Sequence, residues 1–342
     1  MKLFNLFNKY KSSYIDSFKD ITKHIFIYGS SLYSLYYFKD TYMNLFIVPF
    51  LGLMNVRTFI IFHDCGHNSY TPNKKLNYII GSLLGIPVFT PFCWSYDHNN
   101  HHLTSGNIEN NLDHYQNETI FHTLNEYKQM GKISKKMYKI YKHPFLFPII
   151  SSFIKWGILL RADVYIYKLH NLNLYKQSTN TILFDTIFNN LGIIIFSYYL
   201  IYNSIYIQYI ISFIISSSMG FILFHNQHTF NPSYVVDNKT WNKKDSGLKG
   251  SSFIQIPKYL KYFTHGIEYH HIHHMNASIP SYHLQNFHEE AVLESSLEKE
   301  FNNITKLSIH ECYYNLWLTL YDEKNNKYIS FKEAELKIKK NS

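Results

Sequence analysis

The chain has 342 residues, enough for one large domain or two ordinary ones, and its formal charge of +9 favours an acidic partner or an anionic membrane face. Its only arginines are Arg57 and Arg161, and none alternates with aromatics, so nucleic acid is not an expected partner. Cys65, Cys93 and Cys312 lie far apart without a CxxC pair, which excludes a disulfide framework and points to a reduced, cytosol-facing environment.

Residues 1–20 read as a cytosolic amphipathic lead-in, with lysines set among aromatics and no apolar core of a cleavable signal. Four apolar stretches follow: 21–38, 44–62, 182–200 and 205–224. At about 1.5 Å per residue, roughly 20 helical residues cross a hydrocarbon layer of about 30 Å. The links "KDTYM" and "IYNS" are short, so the stretches pair into two membrane hairpins, 21–62 and 182–224. Their tips hold only Lys39 and Asp40, and nearly all other Lys and Arg lie outside the hairpins. The positive-inside rule then turns both tips outward and leaves both termini cytosolic. Two shorter stretches, 78–93 and 145–160, are broken by Pro, Gly or Lys and are expected to lie in the membrane interface. No repeat or linker divides the chain, so a single all-α membrane domain over 1–342 is expected. Residues 63–181 form a cytosolic helical cap, 225–290 a second cytosolic segment, and 291–342 a cytosolic tail.

Histidine carries the chemistry, with 20 residues in all. "HDCGH" sets His63 and His67 four apart; "HNNHH" sets His98, His101 and His102 at i, i+3, i+4; "HHIHH" repeats that spacing at His270, His273 and His274. On a helix each set shares one face. An HxxxH pair arises about once by chance in such a chain, but two HxxHH triplets do not. All three clusters, and His225 and His228 of "LFHNQHTF", fall outside the apolar stretches on one expected face. Eight or nine imidazoles exceed what one tetrahedral zinc takes and suit two metals, whose identity imidazole alone leaves open. HExxH, GxSxG and Walker patterns are absent, and a single Glu-x-x-His (Glu268, His271) does not make the soluble di-iron bundle.

With these motifs the chain resembles the membrane fatty acid desaturases, most of all the acyl-lipid omega-6 (delta-12)-like branch. The resemblance rests on "RTFIIFHDCGH" from Arg57, "WSYDHNNHHLTSGN" from Trp94 and "EYHHIHHMNASIPSY" from Glu268, and spans roughly 45–290. It implies a histidine-rich di-iron centre with two non-haem iron ions, O2 as co-substrate, an acyl-lipid or acyl-thioester substrate, and electrons from cytochrome b5 or ferredoxin. The implied metal ligands are His63, His67, His98, His101, His102, His228, His270, His273 and His274. Asp64 and Asp113 are candidates to accept the second ring N–H of a ligating histidine. His265 stands where that branch usually has a small residue.

His225, His265, His271 and His283 are expected to be surface or neighbouring polar groups, Cys65 a small buried side chain, and Trp94 an interface anchor or pocket wall. Arg57 is expected to face the bundle or the interface, not lipid. Lys339 and Lys340 match a dilysine retrieval signal, placing the protein in the endoplasmic reticulum membrane if eukaryotic; a bacterial source implies the plasma membrane. The reaction expected is insertion of a cis double bond into an acyl chain. A hydroxylase, ketolase or acetylenase with the same boxes is the nearest rival, and a non-enzymatic metal-binding membrane protein a more distant one.

Overall fold

Helices dominate the computed structural model, which describes residues 2–109, 121–155, 160 and 179–340. The first are α1 (Lys2–Lys9), α2 (Tyr14–Tyr37), α3 (Asn44–Gly66), α4 (Lys74–Leu84) and α5 (Trp94–Thr104). Ser13 caps α2 by accepting from the Asp16 amide at 3.0 Å, and Asn73 caps α4 by accepting from the Lys75 and Leu76 amides. Next come α6 (Leu124–Gln129), α7 (Lys132–Tyr141), α8 (Phe147–Ser152) and the long pair α9 (Thr179–Tyr202) and α10 (Tyr206–His228). Short helices α11 (Lys243–Leu248), α12 (Lys261–Thr264) and α13 (His270–Met275) lead to α14 (Ser281–Leu293), α15 (Glu298–Asn302), α16 (Ile309–Asn315) and α17 (Phe331–Lys340).

Among the described residues, three helices are long and apolar enough to cross a membrane: α3, α9 from Asn180 and α10. Burial in α9 is inverted relative to a water-soluble helix. Asp185 and Asn189 are buried, while Ile194 and Ile195 are 64% and 70% exposed. Lipid as the outer solvent explains that inversion, since it takes apolar side chains and rejects unsatisfied polar ones. The fourth expected span, 21–38, falls in α2, which is as long as the other three but falls short of them in apolar composition. The cause is local: Asp20, Lys23 and His24 occupy its early turns, and the outer half is Tyr- and Ser-rich.

α3 and α10 pack side by side. Leu35, Leu51, Leu200 and Tyr209 close the end of the bundle nearest the 38–43 and 203–205 turns. Lys39 donates to the Asn203 carbonyl at 3.2 Å, so both turns lie at one end. The histidine-bearing termini of α3 and α10 lie at the other.

Two departures from an all-α tail-ended chain appear. Short strands β1 (His122–Thr123), β2 (Phe253–Ile254), β3 (Lys306–Leu307), β4 (Leu320–Asp322) and β5 (Lys327–Ile329) form two small sheets. β1 runs parallel to β4, with His122 opposite Leu320, and β4 pairs antiparallel with β5; β2 runs parallel to β3. Residues 291–340, expected to be a tail, are therefore folded. Leu320, Ile329 and Ala334 pack on Leu124, Tyr127 and Tyr138, and Leu297, Phe301 and Ile304 pack on α13 and α14. These strands are only two or three residues long, and their partners are remote in sequence, so no local period announces them.

Arg57 lies on α3 facing inward. It is ion-paired with Asp20 of α2, donates to the Tyr262 carbonyl at 2.6 Å and sits 4.3 Å from the Tyr262 ring centroid. Tyr70 also donates to Asp20, at 2.9 Å, and His265 lies 3.1 Å from the same carboxylate. One buried ion pair thus ties α2, α3 and the loop before α13. Arg57→Met is expected to cost about 3–5 kcal/mol by stranding Asp20, and Arg57→Met with Asp20→Leu to recover much of it, read by denaturation of the detergent-solubilised protein.

Candidate metal centre

A close helix approach, a glycine turn and a helix end deliver the histidines to one place. The end of α3 abuts the start of α5 so closely that a Cβ on Gly66 would lie 2.7 Å from the Ser95 Cβ. Before α13 the chain turns through His265 and Gly266, both at positive φ (54° and 89°). A Cβ on Gly266 would lie 2.3 Å from the Ser281 carbonyl oxygen, so glycine alone fits there. α10 then contributes His228 from its last turn.

The nine implied histidines converge. His63, His67, His98, His102 and His273 each place a ring nitrogen within 4.8 Å of the others, and His101, His228 and His274 form a second such group. His270 lies against the second group, its Nε2 3.0 Å from that of His228. Within the sets, His63 and His98 face each other Nε2 to Nε2 at 2.8 Å, His98 and His102 at 3.1 Å, His102 and His273 at 2.9 Å, and His101 and His228 at 3.1 Å. Such a facing pair shares at most one proton, whereas a cation between the rings binds every lone pair at once. The Nε2 atoms of His67 and His274 are shielded from solvent and make no hydrogen bond. Burial, reinforced by neighbouring imidazoles, holds His102, His270, His273 and His274 well below the usual histidine range. They are therefore neutral at neutral pH, the form that ligates metal. The donor set fits two metal ions.

The far ring nitrogens of two histidines are also engaged. Asp64 accepts from His63 Nδ1 at 3.2 Å and from the Ser281 amide at 2.6 Å. His228 Nδ1 faces the Gly250 carbonyl at 3.3 Å. These contacts direct each Nε2 toward the clusters. Ser281 lies within the quoted "EYHHIHHMNASIPSY" stretch and Gly250 in no motif, but for both the part played here is visible only from tertiary pairing. Asp113 lies outside the described residues. His271, next to His270 in sequence, points elsewhere, its Nε2 3.1 Å from His288 Nδ1. His225 contacts the Asn315 carbonyl at 2.9 Å, and His265 contacts Ser281 Oγ at 2.6 Å. These three are buried, so the surface position open to them in the sequence is corrected: each is absorbed by a partner from a distant segment. His283 is half-buried beside Asp16. Cys65 is buried and free, and Trp94 stacks on His98 with centroids 4.6 Å apart.

A partly open apolar cavity runs between α3 and α10 and reaches His63, His98 and His270. Val56, Phe59, Phe213 and Phe224 line it, with Trp94 as a wall. Four of its polar lining residues are held by partners inside the protein. Ser216 and Ser217 donate to the Phe213 carbonyl at 2.8 and 2.9 Å, Asn55 accepts from Tyr28, and Gln227 donates to the Ile267 carbonyl at 2.9 Å.

Fold and site together define a membrane protein whose two histidine groups, each able to hold a metal ion, adjoin an apolar cavity. The family model for fatty acid desaturases matches residues 40–300. A fatty acid desaturase of Bacillus subtilis (strain 168) is 31% identical over 288 residues, covering 81% of this chain and 74% of the relative. An sn-1 oleoyl-lipid 12-desaturase of Anabaena variabilis is 25% identical over 252 residues, covering 70% and 67%. An sn-1 acyl-lipid omega-3 desaturase (ferredoxin) of Nostoc sp. (strain 36) is 33% identical over 99 residues, 29% of this chain and 26% of the relative. The chain belongs to the fatty acid desaturase family and is an oxidoreductase.

Two outcomes follow for metal content, measured by elemental mass spectrometry of the purified protein. His98→Ala should lose metal per chain, while His271→Asn should retain the wild-type content. Asp64→Asn keeps the side-chain volume but weakens acceptance from His63, and about 10–100-fold lower metal affinity is expected in a chelator competition.

Proposed function

We propose that the protein introduces a cis double bond into the acyl chain of a membrane lipid, with two non-haem iron ions and molecular oxygen. One observation carries the reading: two groups of converging, buried imidazole nitrogens beside an apolar cavity. His63, His67, His98, His102 and His273 would hold one ion, and His101, His228, His270 and His274 the other. Bound there, the iron pair supplies the strong oxidant that an unactivated methylene demands, with oxygen reduced to water.

The chain's own residues do the rest. Phe59, Phe213 and Phe224 give an alkyl chain dispersion contacts and exclude water. The hydroxyls of Ser216 and Ser217 are turned onto the Phe213 carbonyl and offer no donor to water along the path. Asp64 keeps His63 in the tautomer that offers Nε2. Electrons come from ferredoxin or cytochrome b5; a ferredoxin-dependent relative supports the first.

The same reading makes α2 a fourth span. Its outward face exposes Ile25, Phe26 and Tyr33 while Ser17, His24 and Ser31 are buried, the inversion already noted for α9. The 38–43 and 203–205 turns then face outward, and the histidine end, with both termini, faces the cytosol. That membrane is the endoplasmic reticulum in a eukaryotic source and the plasma membrane in a bacterial one.

Expression in a host with simple fatty acids, followed by mass spectrometry of its lipids, is expected to reveal a new double bond that His273→Ala abolishes. A new hydroxyl would assign a hydroxylase, and unchanged lipids with an iron-loaded protein would sink the proposal.

A further inference from the structure

α7 presents an outer face that the reaction does not use. Ile133, Met137 and Ile140 recur at i, i+4, i+7, one helical stripe, and are 81%, 60% and 42% exposed. The opposite face is the anchored one. There Tyr138 is buried and donates to the Thr319 carbonyl at 2.7 Å, and Leu124, Tyr127 and Ile329 surround it. The apolar stripe therefore points away from the protein by construction. Lys132 and Lys136 flank it along one edge. Neighbouring acidic side chains are already engaged, Glu335 by Lys139 and Glu126 by His122.

Further apolar side chains are exposed in and beside α8: Phe145 before it, Ile149 within it and Phe153 just after it. Phe147 of that helix turns inward onto Phe221 and His225 of α10, at 5.6 and 5.9 Å between centroids. α8 thus sits level with the last turns of a candidate span, where the hydrocarbon meets the headgroups, and α7 packs against α8. Phe221 also lines the apolar cavity.

We infer that α7 and α8 form an in-plane docking surface for an anionic phospholipid leaflet. Ile133, Met137 and Ile140 enter the acyl boundary, and Lys132 and Lys136 meet the headgroup charge. An apolar stripe edged by lysines fits that occupant: a zwitterionic leaflet would leave the lysines unanswered, and a water-facing role would leave the stripe unanswered. Docking here also holds the wall behind Phe221 at the lipid surface, next to the cavity. The inference concerns lipid contact and not the reaction, so it can fail while desaturation stands, and the reverse.

The test uses the full chain with an environment-sensitive dye on Ile133→Cys, practicable because the three native cysteines are buried. The protein is placed in nanodiscs of phosphatidylcholine alone or mixed with phosphatidylglycerol. Phosphatidylglycerol is expected to move the dye emission to the blue, and salt to weaken that move. Lys132→Gln with Lys136→Gln is expected to lower the ratio of phosphatidylglycerol to phosphatidylcholine retained on the purified protein by about fivefold per lysine. Water-like emission in both nanodiscs, or unchanged lipid retention in the double variant, overturns the inference. So does a shift that tracks protein concentration in detergent, which would assign the stripe to a second copy.

Discussion

Neutral imidazoles packed with their lone pairs facing one another are the constraint around which this protein is built. Pairs of Nε2 atoms at 2.8–3.1 Å repel unless a proton or a cation lies between them. Burial keeps the rings neutral, because charging several adjacent rings in a poorly solvated interior is costly. A neutral ring carries a single N–H, so protons answer the facing pairs one at a time, whereas a cation could answer several lone pairs together, and the fold holds the rings in place for one. Asp64, Gly250 and Ser281 fix the outer edges of that arrangement, and Gly66 and Gly266 let the backbones come near enough.

The same economy of polar groups governs the helices that carry the rings. Side chains such as Asp185, Asn189 and Asn55 turn inward and find partners, so the outer surface is left to Ile, Leu and Phe. Arg57 is the extreme case. A guanidinium in a candidate span is tolerated because Asp20, the Tyr262 carbonyl and the Tyr262 ring all meet it inside the bundle. That pair also locks α2 to the loop that orients α13, so a stabilising contact far from the rings bears on their geometry.

Much of the site was legible in the sequence because helical spacing is a local property. Histidines at i, i+3, i+4 share a face whatever surrounds them, so His98, His101 and His102 could be grouped before any fold was known. The same rule separates His271 from His270 and His273, and the structure places it on His288. His225, three residues before His228 and chemically identical, is set apart by the Asn315 carbonyl, a contact from ninety residues away. The C-terminal fifty residues illustrate the opposite limit. Strands of two or three residues have no readable period, and their stability comes from partners such as Leu124 and Tyr138 that only folding brings near.

By itself the sequence determined which histidines cluster, which of them share a face and where the long apolar helices run, since each depends on residue type and spacing along one segment. The tertiary structure alone decided which rings form which group, which buried carbonyl or carboxylate sets each tautomer, and where the cavity meets the rings. Those outcomes depend on distances between segments as much as 217 residues apart, as for the Ser281 amide on Asp64, and no local pattern encodes a distance of that kind.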